Sequence, residues 1–336
     1  MKKKLLAKGL ACLFILTAFG GCKPQLPEEE ITIYMPDGAP ALALAKLMYE
    51  DVEGDGVTYK VVDSSLIASK VANKNDDAKN ADLCIMPVTA ASKLLGTGEK
   101  YTMLGTVTHG NLYLLSNTDT KINEGNLSLL IGKKVGVLQI NNVPGLTFKT
   151  VLNKQQIPWQ ELSNDGSMAE DKVNLVAITG ADAIGVMEAD YFMIAEPAAS
   201  AQAKKNYKIV GDLQQLYGGE NGYPQAVLVA KNEFVTEYSA WTKSFVEKVA
   251  SSSDWLYTVP AETLVGVVSA HMEDANAQTS LKAPLLSETA LRGCGIRFSY
   301  VANDYELVNA FLSEMIAVDD KSTSMPMQSF YWNYAK

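Results

Sequence analysis

Four times the chain runs an apolar, β-type segment into a turn and then into a helical pattern, and this alternation restricts the fold most. "ITIYM" (31–35) precedes a stretch in which Ala41, Leu44, Ala45 and Met48 share one helical face. "TYKVVD" (58–63) leads to a helical pattern around Ile67–Val71, and "ADLCIM" (81–86) leads to "PVTAASKLL". "GKKVGVLQ" (132–139) leads to "INNVPGLTFKTVL". Strands alternating with helices predict an α/β fold with mostly parallel sheets flanked by helices. Ligands of such sheets bind beyond the carboxyl ends of the strands, so the turns are where chemistry is expected.

The pattern starts afresh after "YTMLGTVTHGNLYLLSN". Residues 118–222 read as a second α/β unit inserted into a first one, formed by 31–117 and 223–336. The inserted unit contains "DYFMIA" and "YKIVGDL", with a helix opening at Pro197, and "NGYPQAVLVAKNEF" crosses back as an extended segment. From Tyr238 onward the pattern is mainly helical, with Trp241, Phe245 and Val249 at the spacing of a packed face. A cleft between two lobes favours a small ligand, and hinge closure around it is an established switching mode.

The start of the chain is read separately. Lys2, Lys3, Lys4 and Lys8 precede an uncharged run from Gly9 to Gly21, shorter than the roughly 20 residues that span a bilayer as a helix. These are the flanks of a secretory signal. Gly20 and Gly21 before Cys22 resemble a bacterial lipoprotein processing site, with Phe19 departing from the usual leucine. This gives a signal peptide over 1–21, lipidation at Cys22, and a Pro- and Glu-rich tether over 22–30. Residues 1–21 hold four lysines and no acid, so their removal takes the net charge from −9 to −13. Such a surface repels phosphate backbones and excludes nucleic acid as a partner. With two histidines, no metal-ligand spacing, no phosphate-loop lysine motif and no nucleophile elbow, the chain offers no catalytic residue, metal site or cofactor site. Cys84 reads as a small buried hydrophobe.

Several turns carry candidate binding residues. In "PDGAP", Pro40 suits a first helical turn, Asp37 serves either as a cap or as a ligand contact, and Gly38 and Ala39 leave backbone N–H groups open to close approach. "QINNVPG" is the equivalent turn of the second unit, where Gln139, Asn141 and Asn142 supply uncharged polar groups and Gly145 permits an unusual backbone angle. Thr89 in "MPVTAAS" either caps its helix or donates to a ligand. His109, Asn111 and Tyr113 alternate to one side if their segment is a strand. Glu196 in "IAEPAAS" stands at a strand end, fit either for an amino group or for the start of its own helix. Of Tyr34, Tyr191, Tyr217 and Tyr223, the last, at the return crossing, is the preferred residue for stacking a flat ring. His271 is expected to face solvent.

"ADLCIMPVTAASKL", "GKKVGVLQINNVPG" and "ADYFMIAEPAASA", in this order after a lipoprotein start, resemble the type II periplasmic solute-binding proteins of ABC importers. The match is best to the branch for nitrate, sulfonates and thiamine pyrimidine precursors. The resemblance implies a two-lobed type II fold with the ligand between the lobes, a small-molecule ligand, a membrane permease as partner and a monomeric, lipid-anchored protein outside the cytoplasmic membrane. It points Glu196 at an amino group or protonated ring nitrogen, as in a thiamine-pyrimidine-type ligand. A sulfonate or another small organic anion is the alternative. Other outcomes are a same-fold enzyme such as a menaquinone-pathway dehydratase and a sensor-type receptor. The yeast-type pyrimidine synthases share the fold, but their cysteine-rich motif is absent.

Overall fold

The computed structural model describes residues 30–51, 54, 56–73, 79–163 and 166–332. The leader, Cys22 and all of the tether but Glu30 lie outside the described residues. The strands are β1 (Ile31–Pro36), β2 (Val57–Val62), β3 (Leu83–Pro87), β4 (Tyr101–Thr108), β5 (Leu112–Ser116), β6 (Lys134–Leu138), β7 (Trp159–Glu161), β8 (Val173–Ile178), β9 (Tyr191–Ala195), β10 (Lys208–Asp212), β11 (Ala226–Lys231) and β12 (Ile296–Tyr300). The helices are α1 (Ala39–Leu42), α2 (Ala45–Tyr49), α3 (Val88–Leu95), α4 (Val143–Lys154), α5 (Ala198–Ala203), α6 (Leu213–Gly218), α7 (Asn232–Glu237), α8 (Ser239–Ala250), α9 (Ala261–Ala270), α10 (Glu288–Gly293) and α11 (Val301–Val318).

They form two six-stranded sheets, in the orders β12-β4-β11-β3-β1-β2 and β10-β5-β9-β6-β8-β7. Both sheets are mixed: parallel pairing predominates in the second, as expected, and antiparallel pairing in the first. In the first, β2, β1 and β3 are parallel, whereas β3, β11, β4 and β12 alternate in direction. In the second, β7, β8, β6 and β9 are parallel and β5 and β10 run against their neighbours. The physical reason lies in the crossings. The chain leaves the first sheet at the end of β4 and re-enters it from the same side through β11, so β11 must run opposite to β4. Sheet membership changes between Thr108 and Leu112 and again between Asp212 and Ala226.

The period-2 alternation of β1 sorts its side chains onto the two faces of the first sheet. Ile31, Ile33 and Met35 join a core with Leu42, Leu44, Trp241, Phe245 and Val268. Tyr34 points to the opposite core, which continues through both lobes. That second core holds Met86 and Met103 of the first sheet, Leu112 and Val137 of the second, and Phe311 and Met315 of α11. The α/β layering expected from the sequence is present, with local differences. The face read as one helix over 41–48 is split into α1 and α2, although all four residues are buried. Residues 64–70 form a 3-10 helix, begun where the Asp63 carboxylate accepts the Ser65 N–H (2.8 Å). β12 lies in the stretch expected to be helical, directly after a left-handed turn at Gly295 (φ 62°).

Candidate functional site

The junction between the sheets gathers the carboxyl ends of β1, β3, β4, β6 and β9, where an α/β sheet binds its ligands. On the first-sheet wall, Gly38 sets the entry to α1 with φ 98°, and a Cβ added to it would meet nothing within 4 Å. Its backbone is therefore open to close approach, while Ala39 is buried beside it. Asp37 does not cap α1. Its two carboxylate oxygens accept the Thr279 hydroxyl (2.5 Å) and the Ser280 N–H (2.6 Å), so it pins the segment that leads to α10. Thr89 is not the cap of α3 either, a position held by Pro87. It is buried, and its carbonyl accepts the Thr323 hydroxyl (2.9 Å).

On the second-sheet wall, Gln139, Asn141 and Asn142 are exposed on the turn between β6 and α4. Gln139 has φ 46°, and Asn142 caps α4 by position without a side-chain bond. Asn141 accepts Lys149 Nζ at 3.4 Å, and that lysine is buried against Glu161 (2.6 Å). Gly145 has a packing role. A Cβ there would lie 2.2 Å from the Ile140 carbonyl oxygen, so only glycine lets α4 press onto its own entry turn.

The floor is the crossing segment. Asn111 accepts the Glu196 N–H through its carbonyl (2.8 Å) and the Gln225 amide through Oδ1 (3.0 Å), and its Nδ2 donates to the Glu196 carbonyl (3.4 Å). This joins both crossings to the end of β9. The Glu196 carboxylate is buried and accepts the N–H (2.9 Å) and the hydroxyl (2.6 Å) of Ser200. Burial raises its pKa above the usual carboxylate range, and the Ser200 bonds offset part of that rise. The opposite lobe touches it. A Cβ on Gly293 would fall 2.9 Å from Glu196 Cγ and 3.0 Å from the Tyr113 hydroxyl, which donates to the Gly293 carbonyl (3.2 Å). Neighbouring Cys294 is buried, its thiol pushed up to about 12 by burial and by the Glu196 charge.

Two candidates are engaged by partners in the interior. Tyr223 is fully buried, stacked on Phe311 (centroids 5.5 Å apart, planes 16° apart) with Tyr217 at its edge. His109 is buried with Nε2 on Asp304 (2.9 Å). The 109–111 segment is no strand, because Gly110 (φ 86°) breaks the alternation that would have aligned 109, 111 and 113. Burial lowers the His109 pKa, and the Asp304 carboxylate on its ring nitrogen offsets only part of that fall. Burial would raise the Asp304 pKa, but bonds from His109 and Ser299 (2.6 Å) outweigh it. Serine and histidine both bind the carboxylate and not each other, so this trio is no nucleophile–base pair. His271 does not face solvent freely. It is part-buried, its Nδ1 bonded to the Val267 carbonyl (2.8 Å) and its ring edge-on to Tyr59. Tyr34 and Tyr217 spend their hydroxyls on Glu273 and Glu314.

The sequence reading missed Gln225, Gly293 and Asp304. Gln225 alone had a visible signal, as the polar residue after Pro224 in the crossing segment. Beside the floor lies a cavity of about 330 Å³, with His109, Tyr113, Asp212, Gln214, Tyr257, Arg292, Gly293 and Arg297 in its walls. A larger one of about 610 Å³, lined by 121–125 and 209–212, sits on the outer edge of the second sheet, away from the Glu196 floor. Its volume alone does not mark a site. Among the described residues no group of three or more His, Cys, Asp or Glu could hold a metal ion, and no helix is long and apolar enough to cross a membrane.

No protein-family model and no curated protein matches the chain. Solved structures do match it. An ABC transporter structure from Parabacteroides distasonis superposes with a TM-score of 0.69 at 18% identity, covering 91% of this chain and 100% of that one. The periplasmic aliphatic sulphonate binding protein SsuA of Escherichia coli gives 0.65 at 13% identity, covering 91% and 93%. The alkanesulfonate-binding protein SsuA of Xanthomonas axonopodis, bound to MOPS, gives 0.58 at 11% identity, covering 92% and 99%. The chain thus has the two-lobed α/β fold of periplasmic binding proteins of ABC transporters.

Proposed function

We propose that this protein is the substrate-binding component of an ABC importer, held at the outer face of the cytoplasmic membrane by lipid on Cys22. It captures a small polar, nitrogen-containing molecule between its lobes and passes it to the permease. The observation that carries the ligand class is Glu196, a buried carboxylate on the junction floor with the opposite lobe packed against it at Gly293. A carboxylate in that position favours an amino group or a protonated ring nitrogen, such as that of an aminopyrimidine. The open backbone at Gly38 and the exposed amides of Gln139, Asn141 and Asn142 supply the walls. The enzyme alternative has no support in the His109–Asp304–Ser299 geometry.

A second reading, a sulfonate ligand, is favoured by the ligands named for the E. coli and Xanthomonas proteins. Glu196 argues against it, because a second anion would meet a desolvated carboxylate. Thermal-shift titration of the purified protein with aminopyrimidines and with alkanesulfonates separates the two, since a ligand bound only by the folded state raises its melting temperature. A shift with aminopyrimidines that Glu196→Gln removes supports the proposal. A shift with alkanesulfonates alone overturns it.

A further inference from the structure

The cavity of about 330 Å³ lies across Tyr113 and Gly293 from Glu196, and its walls come from both sheets. Arg297 reaches it from β12 of the first sheet, and Asp212 from the end of β10 of the second. Each is half-buried, and among the described residues neither has an ion-pair partner within 4 Å. Arg297 gives one N–H to the Asn221 carbonyl (2.6 Å), and Asp212 accepts the Gln215 N–H (3.0 Å). Arg292, in the same wall, is by contrast bound to Glu288 (2.7 and 2.9 Å) and lies over the Tyr257 ring (4.1 Å).

A third group is also unspent. Gln214 gives its Oε1 to the Leu112 N–H (2.8 Å), while its buried Nε2 approaches the Tyr113 hydroxyl without reaching hydrogen-bond geometry. The cavity thus presents the free cation of Arg297 from one lobe and, from the other, the half-buried Asp212, the exposed Glu220 at its rim and an amide donor. Partly desolvated charges of opposite sign, kept apart by a cavity, are satisfied together by a guest that carries both charges. The volume stands at the small end of ligand pockets and admits a molecule of amino-acid size.

We propose that this cavity is a second ligand site, distinct from the cleft floored by Glu196, for a small zwitterion of the α-amino-acid class. The carboxylate sits on Arg297 and the Gln214 amide, and the ammonium sits on Asp212. Its occupant bridges the two sheets, so it biases the angle between the lobes and, through it, the affinity of the cleft.

The test is isothermal titration of the intact purified protein with the common L-α-amino acids, and with monoamines and monocarboxylates that match their side chains. The expected result is saturable binding of at least one amino acid, with both single-charge analogues weaker by about tenfold or more. Arg297→Gln and Asp212→Asn each weaken it by a similar factor, and Glu196→Gln leaves it unchanged. Asparagine keeps the N-cap acceptor of α6, so Asp212→Asn folds even if Arg297→Gln does not. The site is refuted if no amino acid binds, if the single-charge analogues bind as well, or if Asp212→Asn has no effect. Loss of binding in Glu196→Gln also refutes it, because the amino acid would then occupy the cleft. Aminopyrimidine binding is a separate readout, so either reading can fail alone.

Discussion

Replacing Tyr223 by alanine tests whether that ring belongs to the core or to the ligand. The side chain has no exposed surface, stacks on Phe311 at 5.5 Å, meets Tyr217 at 5.8 Å, and leaves only 2.5 Å between its Cε1 and a Cβ on Gly110. Truncating a buried aromatic to alanine costs about 3–5 kcal/mol. The two ring pairs account for roughly 0.5–1.5 kcal/mol each beyond the area buried. Against a typical total of about 5–15 kcal/mol, the variant retains little margin. Tyr223→Phe keeps both ring pairs and gives up only the Asn111 N–H bond to the hydroxyl, which at 3.4 Å is near its limit. That loss amounts to no more than about 1 kcal/mol. Urea unfolding followed by far-UV circular dichroism measures both variants. If Tyr223→Ala unfolds within about 1 kcal/mol of the wild type, the core assignment is wrong. If it also loses ligand affinity, the ring belongs to the binding site.

Gly145→Ala must push α4 off the Ile140 backbone, at a cost of about 1–3 kcal/mol, and an unchanged melting temperature would discount the close-packing argument. Asp37→Asn sets an amide donor against either the Thr279 hydroxyl or the Ser280 N–H and costs about 1.5–3 kcal/mol in chemical denaturation. Full stability with lost ligand binding would instead make Asp37 a ligand contact. Glu196 has a folded pKa raised above its ordinary 4.5, so its contribution to stability is fully present below that pH and is lost as pH rises through the folded value. Glu196→Gln imitates the protonated form. The wild type should therefore lose stability relative to this variant as denaturation is repeated from acid to neutral pH. A difference that moves the other way would contradict the burial argument.

The strand–turn–helix handovers were legible because each is local. β1, β2, β3, β6 and β9 lie within a residue or two of the apolar runs that announced them, and Trp241, Phe245 and Val249 form the packed face their spacing implied. β12 escaped because its five residues are short and stand between helical patterns, although the glycines at 293 and 295 mark a boundary. The site was legible as a set of turns and not as a set of contacts. Nothing near Asp37 in the chain announces that its carboxylate is held by Thr279 and Ser280. Nor does the sequence around His109 announce Asp304, which occupies its ring nitrogen across 195 positions. Tyr223 was misjudged for the same reason, since its partner Phe311 arrives from α11.

That last helix governs when the protein can become compact during its synthesis. Val308, Phe311, Leu312 and Met315 close a core that includes Leu146 and Val151 of α4, and Glu314 binds Lys154 (3.2 Å) and the Tyr217 hydroxyl (2.6 Å) of the second lobe. Domains generally fold as units while they are synthesised, at about 5–20 residues per second. Here the apolar back of the middle segment stays uncovered until residues 301–318 have emerged, so the order of synthesis postpones the compact state to the end of translation.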